Sequence, residues 1–301
     1  MDYDVIIAGG SFAGLSAAMQ LARARRNIAV IDAGEPRNRF ADSAHGFLGH
    51  DGKAPGTIRG EAFEQLARYP AATLIEGRVI HAESIPNGFA VTLANDRKLT
   101  AQRLILATGM RDALPELPGI RGRWGKTVLH CPYCHGFEVA DRKLGVLASS
   151  PFSIHQAGLL PDWGPVTYFT QGKFEPDDEQ REFLARRGVT FVRSPIVALL
   201  GPAPELEYVQ LENGATVAIG ALFAAPKTHL ASPLAGQLGC ALEEGPMGPY
   251  IRVDELQRTS VAGVFAAGDA AMPMANASLA AASGTKAGIS THQSLIFPVN
   301  H

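Results

Sequence analysis

The chain has 301 residues, 46% of them hydrophobic and 19% charged, which is typical of a globular protein of about two domains and excludes a disordered or fibrous chain. Its 27 lysines and arginines and 29 aspartates and glutamates leave a formal charge of −2, so no basic field is present to bind nucleic acid or an anionic membrane. No apolar run approaches the roughly 18 residues of a membrane-spanning helix, and the acidic first residues lead straight into a strand, which is not typical of a signal peptide.

The first predicted elements are a strand, a tight turn, a helix and a second strand. Residues 5–7 form a short apolar run, and residues 15–22 are small, apolar and favour a helix. A second apolar run, residues 28–31, ends at Asp32, which lies 18 residues after Gly14. This order predicts one β–α–β unit that closes on an acidic side chain.

The turn of this unit has the composition of a phosphate site. The glycine positions of a G-x-G-x-x-G pattern hold Gly9, Ser11 and Gly14, with Phe12 and Ala13 inside the turn. Such a turn lets backbone N–H groups approach a pyrophosphate at the positive end of the helix, although serine narrows the approach. Asp32 is placed to bond a ribose hydroxyl, so the unit predicts a nucleotide site, the alternative being an ordinary crossover without a ligand.

The same plan occurs twice in the chain. In the first copy, a polar turn precedes the strand-like run 103–107, which leads to Thr108 and Gly109. A new strand, turn and helix begin at residue 144, and a hairpin-type turn follows at 212–214. A repeat of this length indicates two homologous dinucleotide-type domains rather than a solenoid.

A further strand-like fragment, residues 264–269, has no counterpart in the second copy and ends in Gly268 and Asp269. It places a carboxylate at the carboxyl edge of a strand, where open α/β sheets bind their ligands. An alanine-rich, helix-like stretch follows at 278–290. The chain is therefore expected to return and complete the first domain.

Prolines and glycines near residues 114 and 244 predict the domain boundaries. We expect residues 1–114 together with 245–301 to form the first domain, and residues 115–244 to form the second. The predicted fold class is α/β, with two Rossmann-like domains that are each a three-layer ββα unit.

The motif Cys131-Pro132-Tyr133-Cys134 is the chemical centre of the sequence. Three cysteines in a chain of 301 residues cannot form a disulfide framework, which predicts a cytosolic protein whose cysteines are catalytic or metal-binding. Two intervening residues allow a small disulfide ring. A helix N-terminus favours the thiolate, which is the species that exchanges with disulfides.

Two other interpretations of the motif must be weighed. The string Cys-x-x-Cys-His, ending at His135, is that of haem attachment, but such attachment needs export and no export segment is present. A zinc ion held by His130, Cys131, Cys134 and His135 would lack the second, separated ligand pair, because Cys240 stands alone. We therefore predict a redox-active disulfide and no metal site, and we expect Cys240 to be a small buried hydrophobe.

Together these motifs resemble the low-molecular-weight thioredoxin reductase family of flavoproteins, nearly from end to end. The resemblance rests on the first glycine turn, Asp32, the Thr108-Gly109 pair, the two cysteines and Gly268-Asp269. It implies that the first domain binds FAD, with Asp32 on the adenosine ribose and Asp269 near the ribityl chain. The helix start at Ala277 and Ser278 would lie beside the flavin ring. Arg37 would neutralise a phosphate or stack on adenine, unless it is a solvated surface arginine.

The resemblance also assigns roles to the cysteines. It implies that Cys134 faces the flavin and that Cys131 exchanges with the substrate, which is a small-molecule dithiol or a thioredoxin-like protein disulfide. It implies a homodimer as well.

The second domain departs from the family pattern where NADPH should bind. Ala148 and Ser150 occupy the two leading glycine positions, and Pro151 lacks a backbone donor. Residues 170–173, where relatives carry a basic cluster for the 2′-phosphate, contain one lysine and no arginine. We therefore expect NADP(H) to bind poorly or not at all.

Histidines mark a third departure. His135 follows the second cysteine, where thioredoxin reductases carry an aspartate, and an imidazole can take and return a proton near neutral pH. His45 and His50 fall where relatives have a loop beside the flavin, and exposed loop histidines are the alternative. His135 is similar to the pattern of the flavin-dependent dithiol oxidases of the gliotoxin and holomycin type, in which electrons pass from a dithiol through the enzyme disulfide and the flavin to dioxygen.

The expected function is thus FAD-dependent oxidation of a small dithiol, with dioxygen as the acceptor. The alternative is a reductase of thioredoxin or a related protein, driven by NADPH or another electron donor. A flavin-bearing sensor, whose cysteine pair is only a redox switch, is a third hypothesis. The loops do not specify which dithiol or disulfide is the substrate.

Overall fold

The computed structural model describes residues 1–297, and in it the chain forms two compact units. Unit 1 contains Met1–Arg39, Phe47–Arg111 and Thr228–His301, and unit 2 contains Phe40–Gly46 and Asp112–Lys227. The last part of the predicted first domain, residues 298–301, lies outside the described residues.

Short strands outnumber helices in both units. The strands are β1 (Tyr3–Ala8), β2 (Ile28–Asp32), β3 (Ala72–Glu76), β4 (Val79–Ile85), β5 (Gly88–Leu93), β6 (Lys98–Leu106), β7 (Met110–Ala113), β8 (Val128–Leu129), β9 (Leu144–Leu147), β10 (Val166–Phe169), β11 (Thr190–Val192), β12 (Ile196–Leu200), β13 (Tyr208–Leu211), β14 (Thr216–Ala218), β15 (Ala221–Ala224), β16 (Lys227–Leu230), β17 (Leu242–Glu244), β18 (Pro249–Ile251) and β19 (Val264–Ala266). The α-helices are α1 (Phe12–Arg23), α2 (Pro55–Leu66), α3 (Pro132–His135), α4 (Ser153–Leu159), α5 (Asp178–Arg186), α6 (Leu234–Leu238) and α7 (Ala277–Ser294). The 3-10 helices are Arg37–Phe40, Phe137–Val139, Leu160–Asp162 and Gly268–Ala271. Of the helices within residues 1–297, none combines the length and the apolar character needed to cross a membrane.

A largely parallel sheet forms the centre of unit 1. Its strand order is β3-β2-β1-β6-β5-β4, and β19 also pairs with β6. Strands β1, β2, β3 and β19 run parallel to their neighbours, whereas β4, β5 and β6 form an antiparallel meander. Because successive residues of a strand point to opposite faces, Ile6 packs on the meander side and Ile7 packs against α1 and α7. Both faces are covered, which explains the continuous apolar runs of the sequence.

Unit 2 repeats these layers. Its parallel sheet has the order β11-β10-β9-β15-β8, and β12, β13 and β14 form a separate antiparallel meander. Here Leu147 packs with the meander, and Val146 packs with residues of α4 and α5. The predicted α/β class with two Rossmann-like units is confirmed.

The segment from Thr228 to Glu244 belongs to unit 1, whereas we expected it in the second domain. Helix α6, in this segment, packs against β4. The side chain of Gln237 on α6 accepts a hydrogen bond from the Ala82 N–H at 3.0 Å and donates one to the Ile80 carbonyl at 3.1 Å. These bonds pair α6 with a strand more than 150 residues earlier, which local composition does not reveal.

Candidate dinucleotide and disulfide sites

The glycine turn of unit 1 brings three backbone segments into contact. Gly9 has a φ of +107°, and a Cβ atom there would lie 2.2 Å from the carbonyl oxygen of Ala107 at the end of β6. A Cβ atom on Gly14 would lie 1.8 Å from the Gly9 carbonyl oxygen. Only glycine fits at these two positions, because any side chain would push α1 away from β1 and β6.

Helix α1 presents its amino end at this turn. It begins at Phe12, its first turn carries no acidic residue, and the Ser11 side chain makes no capping hydrogen bond. The N–H groups of a first helical turn have no partner inside the helix and carry a partial positive charge. The turn therefore fits the pyrophosphate of a dinucleotide, with the residues from Gly9 to Gly14 around it.

Asp32, at the end of β2, is held by three donors. Its Oδ1 accepts the Gly10 N–H at 3.0 Å, and its Oδ2 accepts the Gly34 N–H at 3.2 Å. Arg59 on α2 pairs with the same Oδ2 at 3.0 Å and lies over the ring of Phe63. Arg59 was missed from the sequence, since nothing near it resembles a nucleotide motif. The carboxylate is oriented and retains acceptor capacity for a ribose hydroxyl.

Arg37 and Asp269 form an ion pair of 3.0 Å in unit 1, and their side chains are only 13% and 19% exposed. The pair lies in a cleft whose lining includes Met110, Met247 and Met272. Arg37 is therefore not the solvated surface arginine that was the alternative. A cleft with methionines and one charged pair is suited to a flat aromatic group that carries polar atoms.

The carboxyl ends of β6 and β19 are shaped by two glycines. Gly109, after Thr108, has a φ of +69°, and its carbonyl accepts the Ala231 N–H at 3.1 Å. Gly268 has a φ of +73°, and its N–H donates to the Ser283 hydroxyl of α7 at 2.9 Å. The turn at Gly268 holds the backbone next to Asp269 in a fixed conformation.

Helix α7 begins at Ala277, close to the predicted start at Ser278. The side chain of Asn276 caps it by accepting the N–H groups of Ser278 at 2.8 Å and Leu279 at 3.3 Å. A Cβ atom on Gly284 would lie 2.0 Å from the Ala13 carbonyl oxygen, so α7 packs directly on the backbone of α1. The sequence analysis missed Asn276, although an asparagine before an alanine-rich stretch is a usual capping signal.

His50 lies beside the amino end of α1. Its ring is 5.0 Å from that of Phe47, which makes an edge contact with Phe12 at 5.6 Å between ring centres. The Nδ1 atom of His50 is buried and has no hydrogen-bond partner within residues 1–297. A buried, unpaired nitrogen is costly, which fits a bound group that completes this site.

The cysteine pair forms a disulfide in unit 2, with 5.3 Å between the two Cα atoms. Cys131 is the N-cap of α3, and its Sγ accepts the Cys134 N–H at 3.1 Å. Gly136 closes the helix against Trp163, whose ring a Cβ atom would meet at 2.8 Å. Tyr133, between the cysteines, is 71% exposed. The hydrogen bond to Sγ stabilises negative charge on Cys131 when the disulfide opens.

His135 is the last residue of α3, directly after Cys134. Burial lowers the pKa of His135 below its ordinary value, the carboxylate of Glu138 raises it, and the neighbouring His45 lowers it further. His45 belongs to unit 2, where its Nε2 lies 3.3 Å from Oε1 of Glu138. The expectation that His45 lies beside the flavin stays a prediction; the structure shows that His45 pairs with Glu138, three residues after the last residue of α3.

Segment 40–46 belongs to unit 2 because it packs on the chain before the cysteines. A Cβ atom on Gly125 would lie 2.9 Å from Cβ of Phe40. Asp42 forms an ion pair with Lys126. Glu138 was not predicted from the sequence, because its partner His45 lies more than 90 residues earlier in the chain and no local pattern connects the two.

The turn after β9 in unit 2, which corresponds to the glycine turn of unit 1, is closed by the side chain of Ser153. The Ser153 hydroxyl accepts the N–H groups of Ser149 at 3.1 Å and Ser150 at 3.3 Å, and Ser153 is fully buried. Helix α4, which starts at Ser153, has only seven residues. The two amides that a pyrophosphate would need are therefore occupied by a hydroxyl.

The end of β10 carries an acidic group instead of a basic cluster. Thr170, fully buried, donates its hydroxyl hydrogen to Oε1 of Glu175 at 2.7 Å. Arg193 and Arg181 lie 3.4 Å and 3.8 Å from the other oxygen of Glu175. The structure thus adds two arginines that residues 170–173 lack, but both face a carboxylate.

Cys240 is buried, its Sγ lies 3.7 Å from the Thr259 hydroxyl, and burial raises the pKa of its thiol. It is a packed apolar residue rather than a reactive thiol. Within the described chain, residues 1–297, no group of three or more histidine, cysteine, aspartate or glutamate side chains is arranged to hold a metal ion.

Comparison with known proteins gives a consistent result. The family model described as pyridine nucleotide-disulphide oxidoreductase matches residues 3–284. Thioredoxin reductase tcpT of Claviceps purpurea (strain 20.1) is 31% identical over 99% of this chain and 95% of its own length.

Solved structures agree over the full length. An oxidoreductase from Agrobacterium tumefaciens is 50% identical, with a TM-score of 0.95 over 99% of this chain and 100% of that one. HlmI is 37% identical, with a TM-score of 0.89 over 98% of this chain and 92% of that one. The similarity therefore includes both units.

Proposed function

The chain belongs to the pyridine nucleotide-disulphide oxidoreductase family, and on that premise we propose that this disulfide oxidoreductase uses FAD and the Cys131–Cys134 pair to oxidise a small dithiol. The observation that carries the direction of the reaction is the turn of unit 2. There the Ser153 hydroxyl binds the two amides that an NADPH pyrophosphate would need. An enzyme that lacks a hydride donor must receive its electrons from thiols or from another electron donor, and the Cys131–Cys134 disulfide is a group that thiols can reduce.

Unit 1 fits FAD, which the family implies. The turn from Gly9 to Gly14 and the first-turn amides of α1 would hold the pyrophosphate, and Asp32 would hold the adenosine ribose. Arg37 and Asp269 would bind polar atoms of the ribityl and flavin part. Bound FAD supplies an acceptor for the two electrons of the reduced cysteine pair and a centre that dioxygen reoxidises.

The cysteine pair and His135 carry out the sulfur chemistry. A substrate thiol gives its proton to His135, and the thiolate attacks Sγ of Cys131 while the bond to Cys134 breaks and Cys134 leaves as a thiolate. The second substrate thiol then attacks the substrate sulfur of the mixed disulfide, and its proton passes to the departing Cys131. The substrate leaves as a disulfide, and its two electrons stay on the cysteines.

The surroundings of His135 suit it to the role of proton acceptor. Because burial holds its pKa below the ordinary value, the imidazole is neutral at pH 7 and free to take a proton. The Cys134 N–H on Sγ of Cys131 stabilises that sulfur as a leaving group in the second step.

A reductase that transfers electrons from NADPH to a thioredoxin-like protein is the second candidate. The name of the Claviceps purpurea relative favours it, and so do Arg181 and Arg193 at the end of β10, where a 2′-phosphate would bind. Glu175 opposes it, since a carboxylate at that point repels a phosphate.

Anaerobic mixing separates the two candidates. We expect excess NADPH to leave the visible flavin absorbance unchanged, dithiothreitol to bleach it, and air to restore it, as followed by stopped-flow absorbance. The Cys131→Ser variant is the matched control: it should stay oxidised with dithiothreitol, because electrons enter through the cysteine pair. Bleaching of the wild-type protein by NADPH within seconds contradicts the oxidase proposal.

The expected partners follow from this reaction: a small-molecule dithiol and dioxygen in the first candidate, a thioredoxin-like disulfide in the second. The homodimer and the cytoplasmic location remain predictions from the sequence.

A further inference from the structure

His45, in segment 40–46, is a second histidine close to α3, the short helix of unit 2 that contains Cys134 and His135. Nε2 of His45 lies 3.3 Å from Oε1 of Glu138, with side chains 21% and 37% exposed. Glu138 lies in the 3-10 helix Phe137–Val139, three residues after His135. One carboxylate thus contacts a histidine from a distant loop and follows the histidine next to the disulfide by three residues.

The titratable groups that affect the pKa of His135, in the part of the chain that the structure describes, come from two elements. Glu138 follows on its own side of the redox helix, and His45 comes from segment 40–46. Asp42, on the same segment, pairs with Lys126 instead. The effects of Glu138 and His45 on the pKa of His135 therefore oppose each other, since Glu138 raises it and His45 lowers it.

This arrangement matters because the charge of His135 changes during the exchange. We propose that Glu138 and His45 are positioning residues for this step: Glu138 stabilises the imidazolium that His135 becomes, and His45, 3.3 Å from the Glu138 carboxylate, holds that carboxylate and offsets its effect on His135. The proposal rests on His135 being the proton acceptor of the cysteine pair.

If His45 and Glu138 formed only a structural ion pair at the surface, a different result would be expected. Exposed ion pairs contribute little to stability and have no defined effect on a third group. Opposite changes in the pKa of His135 on replacing Glu138 and His45 would require that both residues act on the imidazole electrostatically. The pKa of His135, lowered by burial, raised by Glu138 and lowered by His45, agrees with such opposed effects.

The test replaces each partner with glutamine and measures the titration of His135. In Glu138→Gln, we expect the midpoint to fall by about half a pH unit, and in His45→Gln to rise by a similar amount, because both groups are partly exposed. The double variant should return close to the wild-type value. The measurement is NMR of ring-labelled histidine in the oxidised holoenzyme. The chain has nine histidines, and the signal of His135 is the one that is missing in a His135→Asn variant.

The same two variants should shift the acid limb of the rate at which dithiothreitol reduces the disulfide, with the same opposite signs. Glu182→Gln is the matched control, since Glu182 pairs with Arg186 on exposed α5 and should leave both curves unchanged. If Glu138→Gln does not fold, Glu138→Ala gives the same sign. Shifts in the same direction, or below about 0.2 pH units in both variants, overturn the proposal.

This test stands apart from the proposed direction of electron flow. If NADPH bleaches the flavin, the oxidase hypothesis is wrong, but the titration of His135 and the rate with dithiothreitol still respond to Glu138 and His45. If the flavin experiment succeeds and the titration does not move, only the positioning role is wrong.

Discussion

Cys134→Ser is expected to lower the turnover of a dithiol under air by about 10³-fold or more. The two electrons of the reaction are stored as one bond between the Cys131 and Cys134 sulfurs, and a serine hydroxyl cannot take part in a disulfide. Dioxygen consumption with dithiothreitol measures the loss. The ratio of bound flavin to protein should stay unchanged, because Cys134 lies in unit 2 and the residues proposed to bind FAD lie in unit 1.

The third cysteine provides the control for this experiment. Cys240 is buried in unit 1 and contacts Thr259, so Cys240→Ala removes a thiol without touching the redox pair. We expect activity within about twofold of the wild type, as for a small buried apolar replacement. A Cys134→Ser protein with a tenth or more of the wild-type turnover would show that the pair is a switch rather than the path of the electrons.

Gly14→Ala is expected to remove FAD from the protein and to destabilise unit 1. The new Cβ atom would lie 1.8 Å from the Gly9 carbonyl oxygen, so α1 must shift away from β1 and open the turn that is to hold the pyrophosphate. Overpacking of this kind costs about 1–3 kcal/mol of unfolding free energy. Bound flavin after purification should fall below a tenth of the wild-type ratio, and the urea midpoint should fall with it.

Gly60→Ala is the matched control, since Gly60 lies on α2 and a Cβ atom there meets nothing within 4 Å. Alanine favours a helix over glycine by about 1 kcal/mol, so this variant should be slightly more stable and bind a full complement of FAD. Stoichiometric flavin in Gly14→Ala would mean that the turn is not the cofactor site.

The parallel strands of the two β–α–β units follow from features that the local sequence contains. Residues such as Ile6 and Ile7 are both apolar because a parallel strand is buried on both faces, and that pattern is visible without a structure. The glycine turn is equally predictable from the sequence. No side chain fits at Gly9 and Gly14, so both positions are glycines and the spacing of the motif is visible. The repeat then predicts a second unit of the same kind.

Side-chain pairs between segments that are distant in the sequence could not be predicted from local patterns. Arg59 on α2 reaches Asp32 at the end of β2, and His45 lies in unit 2, where it pairs with Glu138. Each depends on how a loop packs, which the composition of that loop does not determine. The turn of unit 2 is an intermediate case: missing glycines predict a weak site, but the hydroxyl of Ser153 filling it is visible only in three dimensions.

The close approach of α7 to α1 has a consequence for biosynthesis. Cβ atoms on Gly284 and Gly288 would lie 2.0 Å and 2.5 Å from the carbonyl oxygens of Ala13 and Ala17, so the helix after the nucleotide turn is supported by a helix from the other end of the chain. A ribosome delivers the amino-terminal part first, and unit 1 therefore waits for nearly the whole polypeptide to emerge. Unit 2 consists of Asp112–Lys227 and the earlier segment Phe40–Gly46, so all of its residues are available before the chain is complete, and we expect it to fold first.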